Sequence, residues 1–118
     1  MKHMETLKNR KWIINLKGKD FITFSGLLWL AHQMNLTSLI STCIYEDWDK
    51  GIFVFRAEAI GLGKDEGLIK FVDEGEAAPY NVGSMIKPHI RRMASTRAMA
   101  RALRLYTGMG MTALEEIQ

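Results

Sequence analysis

The sequence predicts an α+β domain: a three- to four-stranded antiparallel sheet packed by a short first helix and a long basic C-terminal helix, in β-α-β-β-β-α order. Three observations predict this class: β-branched runs separated by turn residues, an apolar helical period after Thr23, and strong helix formers across residues 84–107. With 118 residues, 47% of them hydrophobic, residues 1–118 are expected to form a single domain around one core.

The first predicted elements are a strand and a helix. Residues 12–16 are rich in β-formers, and residues 17–20 have the composition of a turn. Thr23 or Ser25 can cap a following helix, because its apolar side chains then recur at helical spacing. We expect this helix to end near Asn35.

The middle of the chain predicts an antiparallel meander of three strands. Residues 39–45, 52–60 and 68–72 are β-branched or apolar runs, and polar turns separate them. In the middle run the odd-numbered side chains are apolar, whereas Arg56 and Glu58 fall on the opposite face. One face of the sheet is therefore expected to be at least partly exposed to water.

The surest predicted element is a long helix over residues 84–107. Pro88 lies early enough in it to be tolerated, and Gly108 follows its end. Thr112 followed by Glu115 forms a capping-box pattern, which predicts a short terminal helix.

Composition excludes several classes of protein. Cys43 is the only cysteine, so no intramolecular disulfide can form, and a reducing, intracellular (cytoplasmic) location is expected. The longest apolar stretch, at residues 24–31, is far shorter than the roughly 20 residues that span a bilayer. The N-terminus also has no apolar signal segment. We therefore expect no membrane association and no export.

The net charge of +3 is modest, but its distribution along the chain is uneven. Residues 21–76 hold four basic and nine acidic residues, whereas residues 77–114 hold no acidic residue at all. A segment of one charge must be offset by a partner, by solvent, or by the acidic remainder of the chain. The basic residues of the acid-free segment are Lys87, Arg91, Arg92, Arg97, Arg101 and Arg104.

Three of these arginines form a stripe on the predicted long helix. At about 100° per residue, Arg97, Arg101 and Arg104 fall within a sector of roughly 60°. Their charges repel one another unless an anion lies between them, and the planar guanidinium suits phosphate well. We predict that this stripe contacts the phosphates of single-stranded DNA, and that further basic residues extend the track or form a groove wall: Arg91, Arg92, Lys87, Arg56 and Lys64.

This prediction requires the three guanidiniums to point together into open solvent, unclaimed by carboxylates of their own subunit. If four to six phosphates are neutralised, the slope of log affinity against log salt should be about −3 to −4. The pattern also fits a solvated face, or arginines that pair within the fold with the acidic residues Glu46, Asp47, Asp49, Glu58, Asp65 and Glu66.

Two other functions fit the same residues. In a self-assembling structural or protein-interaction subunit, the stripe would dock on the acidic hairpin edge of a neighbouring copy, at Glu46, Asp47 and Asp49. A double-stranded RNA binder also has a helix, three strands and a helix in this order.

The sequence supplies no catalytic or metal-binding constellation. His3, His32 and His89 are far apart in sequence, and none has ligand spacing with Cys43 or with a pair of carboxylates. The glycines of residues 61–67 fit neither the P-loop nor the dinucleotide-binding pattern. We therefore expect no enzyme activity, no metal and no cofactor.

Residues 21–110 resemble the single-strand annealing recombination mediators, the Rad-fifty-two family with its phage relatives Erf and Red-beta. Residues 24–35, FSGLLWLAHQMN, are similar to the first core helix of that family, and residues 39–72 are similar to its sheet. Residues 93–108, MASTRAMARALRLYTG, are the most specific stretch, because they resemble its basic helix with an Arg-Ala-Leu-Arg core.

This resemblance implies a protein that binds and anneals single strands in recombination, repair or replication. It implies that Arg101 and Arg104 contact the DNA backbone in a groove that leaves the bases outward. Ala100 stands where the family usually has a lysine. The resemblance further implies a homo-oligomer and an archaeal or viral source.

Overall fold

The structure, a computed structural model, describes residues 2–118. The described chain contains helices and strands in the order α1 (Lys2–Asn9), β1 (Ile13–Leu16), β2 (Lys19–Ile22), α2 (Phe24–Gln33), β3 (Leu36–Asp47), β4 (Ile52–Leu62), β5 (Leu68–Ala77) and α3 (Ile90–Thr107). The predicted α+β class is confirmed, because the long basic α3 and the short α2 accompany a three-stranded antiparallel sheet.

The N-terminal strands form a hairpin of their own. β1 pairs with β2 in a two-stranded sheet that is separate from the main one. Lys17 and Gly18 both have positive φ, at 53° and 84°, which is the conformation of a tight two-residue hairpin turn. The main sheet therefore has three strands. α1, which precedes this hairpin, was not among the predicted elements, and it buries Leu7 in the core.

The main sheet has the strand order β3-β4-β5, and both strand pairs are antiparallel. Phe53, Ala57 and Ala59 on β4 are at most 1% exposed, whereas Arg56 is exposed. The predicted alternation is confirmed. We call the buried side of this sheet its inner face and the other side its outer face.

α3 is enclosed on three sides, and this explains why so many of its side chains are buried. It packs on β5 and β4 of the inner face, on α2, and on a turn at Leu114–Glu116 near the C-terminus. It begins at Ile90 rather than at residue 84, and a 3₁₀ turn at Lys87–His89 precedes it. Pro88 disfavours an α-helix that begins at residue 84, because proline has no N–H to donate to the Ser84 carbonyl. α3 ends at the left-handed Gly108, with φ 71°.

The chain reverses after Gly108, and residues 109–118, which we call the C-terminal segment, run back to the body of the protein. The Thr112 carbonyl accepts a hydrogen bond from the Ile22 N–H at 3.0 Å. The Glu115 carboxylate accepts one from the Phe24 N–H, at the start of α2, at 2.9 Å. The predicted terminal helix is a single 3₁₀ turn, and Glu116, not Glu115, closes it by accepting from the Ala113 N–H at 2.8 Å.

Gly75 allows α3 to lie directly on β5. A Cβ at this position would come within 2.7 Å of the Arg97 carbonyl carbon and 2.8 Å of the Ala98 Cα. Both of these atoms belong to the backbone of a helix and cannot yield as a flexible side chain would. The register between helix and strand therefore depends on glycine at this point.

We predict that Gly75→Ala lowers the free energy of unfolding by at least about 2 kcal/mol, because α3 must lift from the sheet to admit the methyl group. Gly110→Ala is the control, since a Cβ there meets nothing within 4 Å. That variant should change stability by less than about 0.5 kcal/mol. Urea unfolding followed by circular dichroism measures both, and equal stability of the two variants would contradict the close packing described here.

Candidate nucleic-acid interface

Arg97 is the one charged residue that is buried among residues 2–118, with 3% of its surface exposed. Its guanidinium donates to five oxygens. These acceptors are the carbonyl oxygens of Glu76 (3.0 Å), Asn81 (2.7 Å), Gln118 (2.9 Å) and Glu115 (3.4 Å), and the Asn81 side-chain oxygen (3.0 Å).

None of the five acceptors of Arg97 is a side-chain carboxylate. Burial lowers the pKa of its guanidinium, and the nearby charge of Arg101 lowers it further. The negative charges of Glu116 and Glu76 act in the opposite direction. Because every N–H is occupied and the side chain is buried, Arg97 holds the fold together. The prediction that it faces a phosphate strand is wrong.

Arg101 and Arg104 share a carboxylate of their own chain. Glu116, whose side chain is 7% exposed, lies 3.4 Å from Arg101 Nε and 3.1 Å from Arg104 Nη1. Arg101 also donates to the Glu74 carbonyl at 3.0 Å, and Arg104 donates to the Gly110 carbonyl at 3.1 Å. The expectation that the stripe points jointly into solvent is therefore wrong, although both side chains stay partly exposed, at 37% and 26%.

The four-residue spacing of Arg97 and Arg101 on α3 matches the distance between two carbonyl groups at the edge of β5. Arg97 donates to the Glu76 carbonyl and Arg101 to the Glu74 carbonyl. Four residues of helix advance about 6.0 Å, and two residues of strand advance about 6.8 Å. The same spacing that predicted a phosphate track therefore serves to cover carbonyl groups of the neighbouring strand.

The sequence contained a signal for this arrangement. Gly108 and Gly110 mark a chain reversal directly after α3, and Glu115 and Glu116 follow within a few residues. A reversal there carries these carboxylates back along the helix that holds the arginines. The acidic residues expected to pair with the stripe, at positions 46–66, are not the ones that bind it.

An open groove lies at the other end of α3. Its volume is about 480 Å³, and Trp48 lines it together with residues that begin the helix. Arg91 and Arg92 are exposed there, and so is His89 just before them. Trp48, at the turn between β3 and β4, is 69% exposed and packs edge-on against Phe53 at 4.9 Å.

Arg91 is held in the groove by weak contacts. Its guanidinium lies 5.1 Å from the centre of the Phe55 ring, and its Nε is 3.6 Å from a Glu46 carboxylate oxygen. Both side chains of this ion pair are 46% exposed, so the pair contributes only about 0 to 1 kcal/mol. An incoming phosphate can therefore compete with Glu46 for Arg91.

Charges of both signs surround the groove. Lys87 is exposed and lies two residues before His89, so the start of α3 supplies three permanent cations, Lys87, Arg91 and Arg92. On the side of the sheet, Glu46 lies 3.6 Å from Arg91, and Asp47 and Asp49 flank Trp48 in the sequence. The Asp47 carboxylate already accepts a hydrogen bond from the Lys50 N–H at 2.9 Å. Because the positive end of the α3 dipole adds to the cations, the helix side of the groove favours an anion.

Arg56 and Lys64 do not join this groove. Arg56 lies on the outer face of the sheet, away from α3, and pairs there with Glu74 at 3.0 Å. Lys64 is exposed in the turn between β4 and β5, beside Tyr106 at the far end of α3. The prediction that they complete one groove wall with the helix arginines is wrong, because the sheet and the length of the helix separate them.

Across residues 2–118 no three His, Cys, Asp or Glu side chains are grouped so that they could hold a metal ion. In the same range, no helix combines the length and the apolar character needed to cross a membrane. The sequence matches no protein-family model, and a search of curated proteins finds no match. The resemblance to the single-strand annealing proteins therefore stays a prediction.

We predict that Arg97→Lys lowers the free energy of unfolding by about 2 to 4 kcal/mol, because a lysine cannot reach all five acceptors and leaves buried carbonyl groups unpaired. Arg92→Lys is the matched control, since Arg92 is exposed and should tolerate the change within about 0.5 kcal/mol. Both values come from denaturant titration. A loss of stability confined to Arg92→Lys, or equal losses of stability in both variants, would show that Arg97 has no special structural role.

Proposed function

We propose that the protein is a non-catalytic single-stranded DNA-binding protein whose interface is the groove at the start of α3. This proposal rests on one observation, that exposed cations and an exposed aromatic ring line the same groove. Arg91 and Arg92 lie on one wall of the groove, and Trp48 lies on the other. Binding of single strands requires these two components, a positive track for the backbone and a ring on which a base can stack.

The residues that contact the phosphates are Lys87, Arg91 and Arg92. All three are exposed, and none is held by a buried carboxylate as Arg101 and Arg104 are by Glu116. Guanidinium groups bind phosphate through two parallel hydrogen bonds, which makes Arg91 and Arg92 the stronger contacts. His89 lies between Lys87 and Arg91 in the sequence.

Trp48 favours single strands over duplexes. A base in a duplex is already stacked on its neighbours, so an aromatic ring at the surface gains little from it. An unpaired base can instead lie on the exposed Trp48 ring, which adds about 1 to 3 kcal/mol per stacked base. This is the reason to prefer single-stranded DNA to the double-stranded RNA alternative.

Annealing of complementary strands, homo-oligomer formation and an intracellular role in recombination, repair or replication are further parts of the proposal. They are supported by the resemblance of residues 93–108 to the basic helix of the annealing proteins. Arg101 and Arg104 retain partial exposure beside an open cavity of about 250 Å³, so they could contribute secondary contacts where a strand displaces Glu116.

The self-assembly alternative loses its main support. It required Arg97, Arg101 and Arg104 to dock on the acidic hairpin of another copy. Their donors are instead engaged with oxygens of the same chain, and Glu46 of that hairpin is 3.6 Å from Arg91.

We predict that the double variant Arg91→Ala with Arg92→Ala binds a labelled single-stranded DNA oligonucleotide at least tenfold more weakly than the wild type, measured by fluorescence anisotropy. Three neutralised phosphates give a slope of log affinity against log salt of about −2, and one gives about −0.7. The double variant should therefore also lose most of its salt dependence. Arg56→Ala is the control, because it removes an exposed arginine from the opposite face of the sheet.

Unchanged binding in the double variant, or an equal loss in Arg56→Ala, would refute this groove as the interface. A wild-type slope near −4 would point to a longer track than the groove provides. Stronger binding to duplex RNA than to single-stranded DNA would favour the double-stranded RNA alternative.

A further inference from the structure

β3 has the composition of a strand from the middle of a sheet, yet it lies at an edge. Residues 36–45 contain no charged residue, no proline and no glycine. Apolar side chains on the outer face are open to solvent, with Ile40 45% and Tyr45 52% exposed. On the inner face Leu39 and Cys43 are only partly buried. An uncharged run of β-formers without proline or glycine is typical of strands that have a neighbour on each side, because edge strands usually carry protective residues.

In the described part of the chain, β3 has β4 on one side and no strand on the other. Exposed edges are usually protected by charged side chains, by proline or by bulges. β3 has irregularities between Leu36 and Ser38 and between Cys43 and Tyr45, but residues 38–43 pair with β4 in unbroken register. A regular, uncharged stretch of backbone is therefore open to pairing at this edge.

The opposite edge of the sheet, β5, is protected. It carries Lys70, Glu74 and Glu76, and the guanidiniums of Arg97 and Arg101 occupy the carbonyl oxygens of Glu76 and Glu74. A second copy that added its β3 to this strand would have to displace both arginines. Head-to-tail growth through β3 and β5 is therefore disfavoured, and β3 is the edge that can accept a partner.

We propose that β3 pairs antiparallel with β3 of a second copy, which forms a two-fold dimer with one continuous six-stranded sheet. Antiparallel pairing about a two-fold axis sets the strand against its own reversed sequence, so charges of one sign near the axis would face each other and repel. Residues 36–45 carry no charge and avoid this repulsion. Both copies use the same surface, so the assembly is closed and does not grow into a fibre.

The two-fold dimer would also orient bound DNA, a consequence that rests on the proposed function. A two-fold axis perpendicular to the joined sheet places both α3 helices on the same side of it. Two DNA strands bound across that side would then run in opposite directions, as complementary strands must when they anneal.

The test compares Ile40→Lys with Val72→Lys by sedimentation velocity over a concentration series, without nucleic acid. Ile40 and Val72 flank Glu58 in the same row of the outer face, and their exposures are similar, at 45% and 41%. We expect the wild type and Val72→Lys to sediment as dimers and Ile40→Lys as a monomer. Thr42→Lys, at another exposed position of β3, should also give a monomer.

A wild type that remains monomeric at every concentration would overturn the dimer. Loss of the dimer in Val72→Lys as well would assign the dimer contact to the outer face rather than to the edge. A dimer that persists in both Ile40→Lys and Thr42→Lys would show that the contact does not involve β3. Circular dichroism confirms that each variant is folded. Because no DNA is present, failure of the dimer leaves the DNA-binding proposal standing, and failure of DNA binding leaves the dimer standing.

Discussion

The buried guanidinium of Arg97 is the interaction on which the arrangement around α3 depends. It binds oxygens from the end of β5, from the turn at Pro79–Asn81 and from the C-terminal segment. A cation taken out of water is tolerated only when its hydrogen bonds are complete, and here five oxygens complete them. Arg97 thus ties three separate parts of the chain to one point on α3, and Glu116 reaches Arg101 and Arg104 because the C-terminal segment is held there.

This constraint divides α3 into two parts with different uses. From Arg97 onward the arginines bind oxygens of their own chain, and Arg101 and Arg104 share the buried carboxylate of Glu116. Before Arg97, the side chains of Arg91 and Arg92 extend into the groove beside Trp48. The positive charge that remains accessible is therefore concentrated where the helix dipole is also positive. Arg97 and Arg101 also protect the β5 edge, which leaves β3 as the edge that is open to a second copy.

The local elements could be predicted from the sequence because they depend on neighbours along the chain. Alternation in β4 identified the buried face, and Gly108 identified the end of α3. The direction of the arginine stripe could not be predicted from helical periodicity, since it is decided by contacts with distant residues. These are Glu74, Glu76, Glu116 and Gln118, which lie 12 to 27 residues away from the arginines that they bind. Periodicity shows which side chains share a face, but what covers that face is a matter of tertiary structure.

We propose that anions bind α3 at its start and not along its arginine stripe. NMR spectra of the arginine Nε–Hε groups, recorded while a single-stranded DNA oligonucleotide is added, distinguish the two sites. The signals of Arg91 and Arg92 should shift with added DNA, and the signal of Arg97 should stay in place. Shifts at Arg97, Arg101 and Arg104 with unmoved signals at Arg91 and Arg92 would contradict the account.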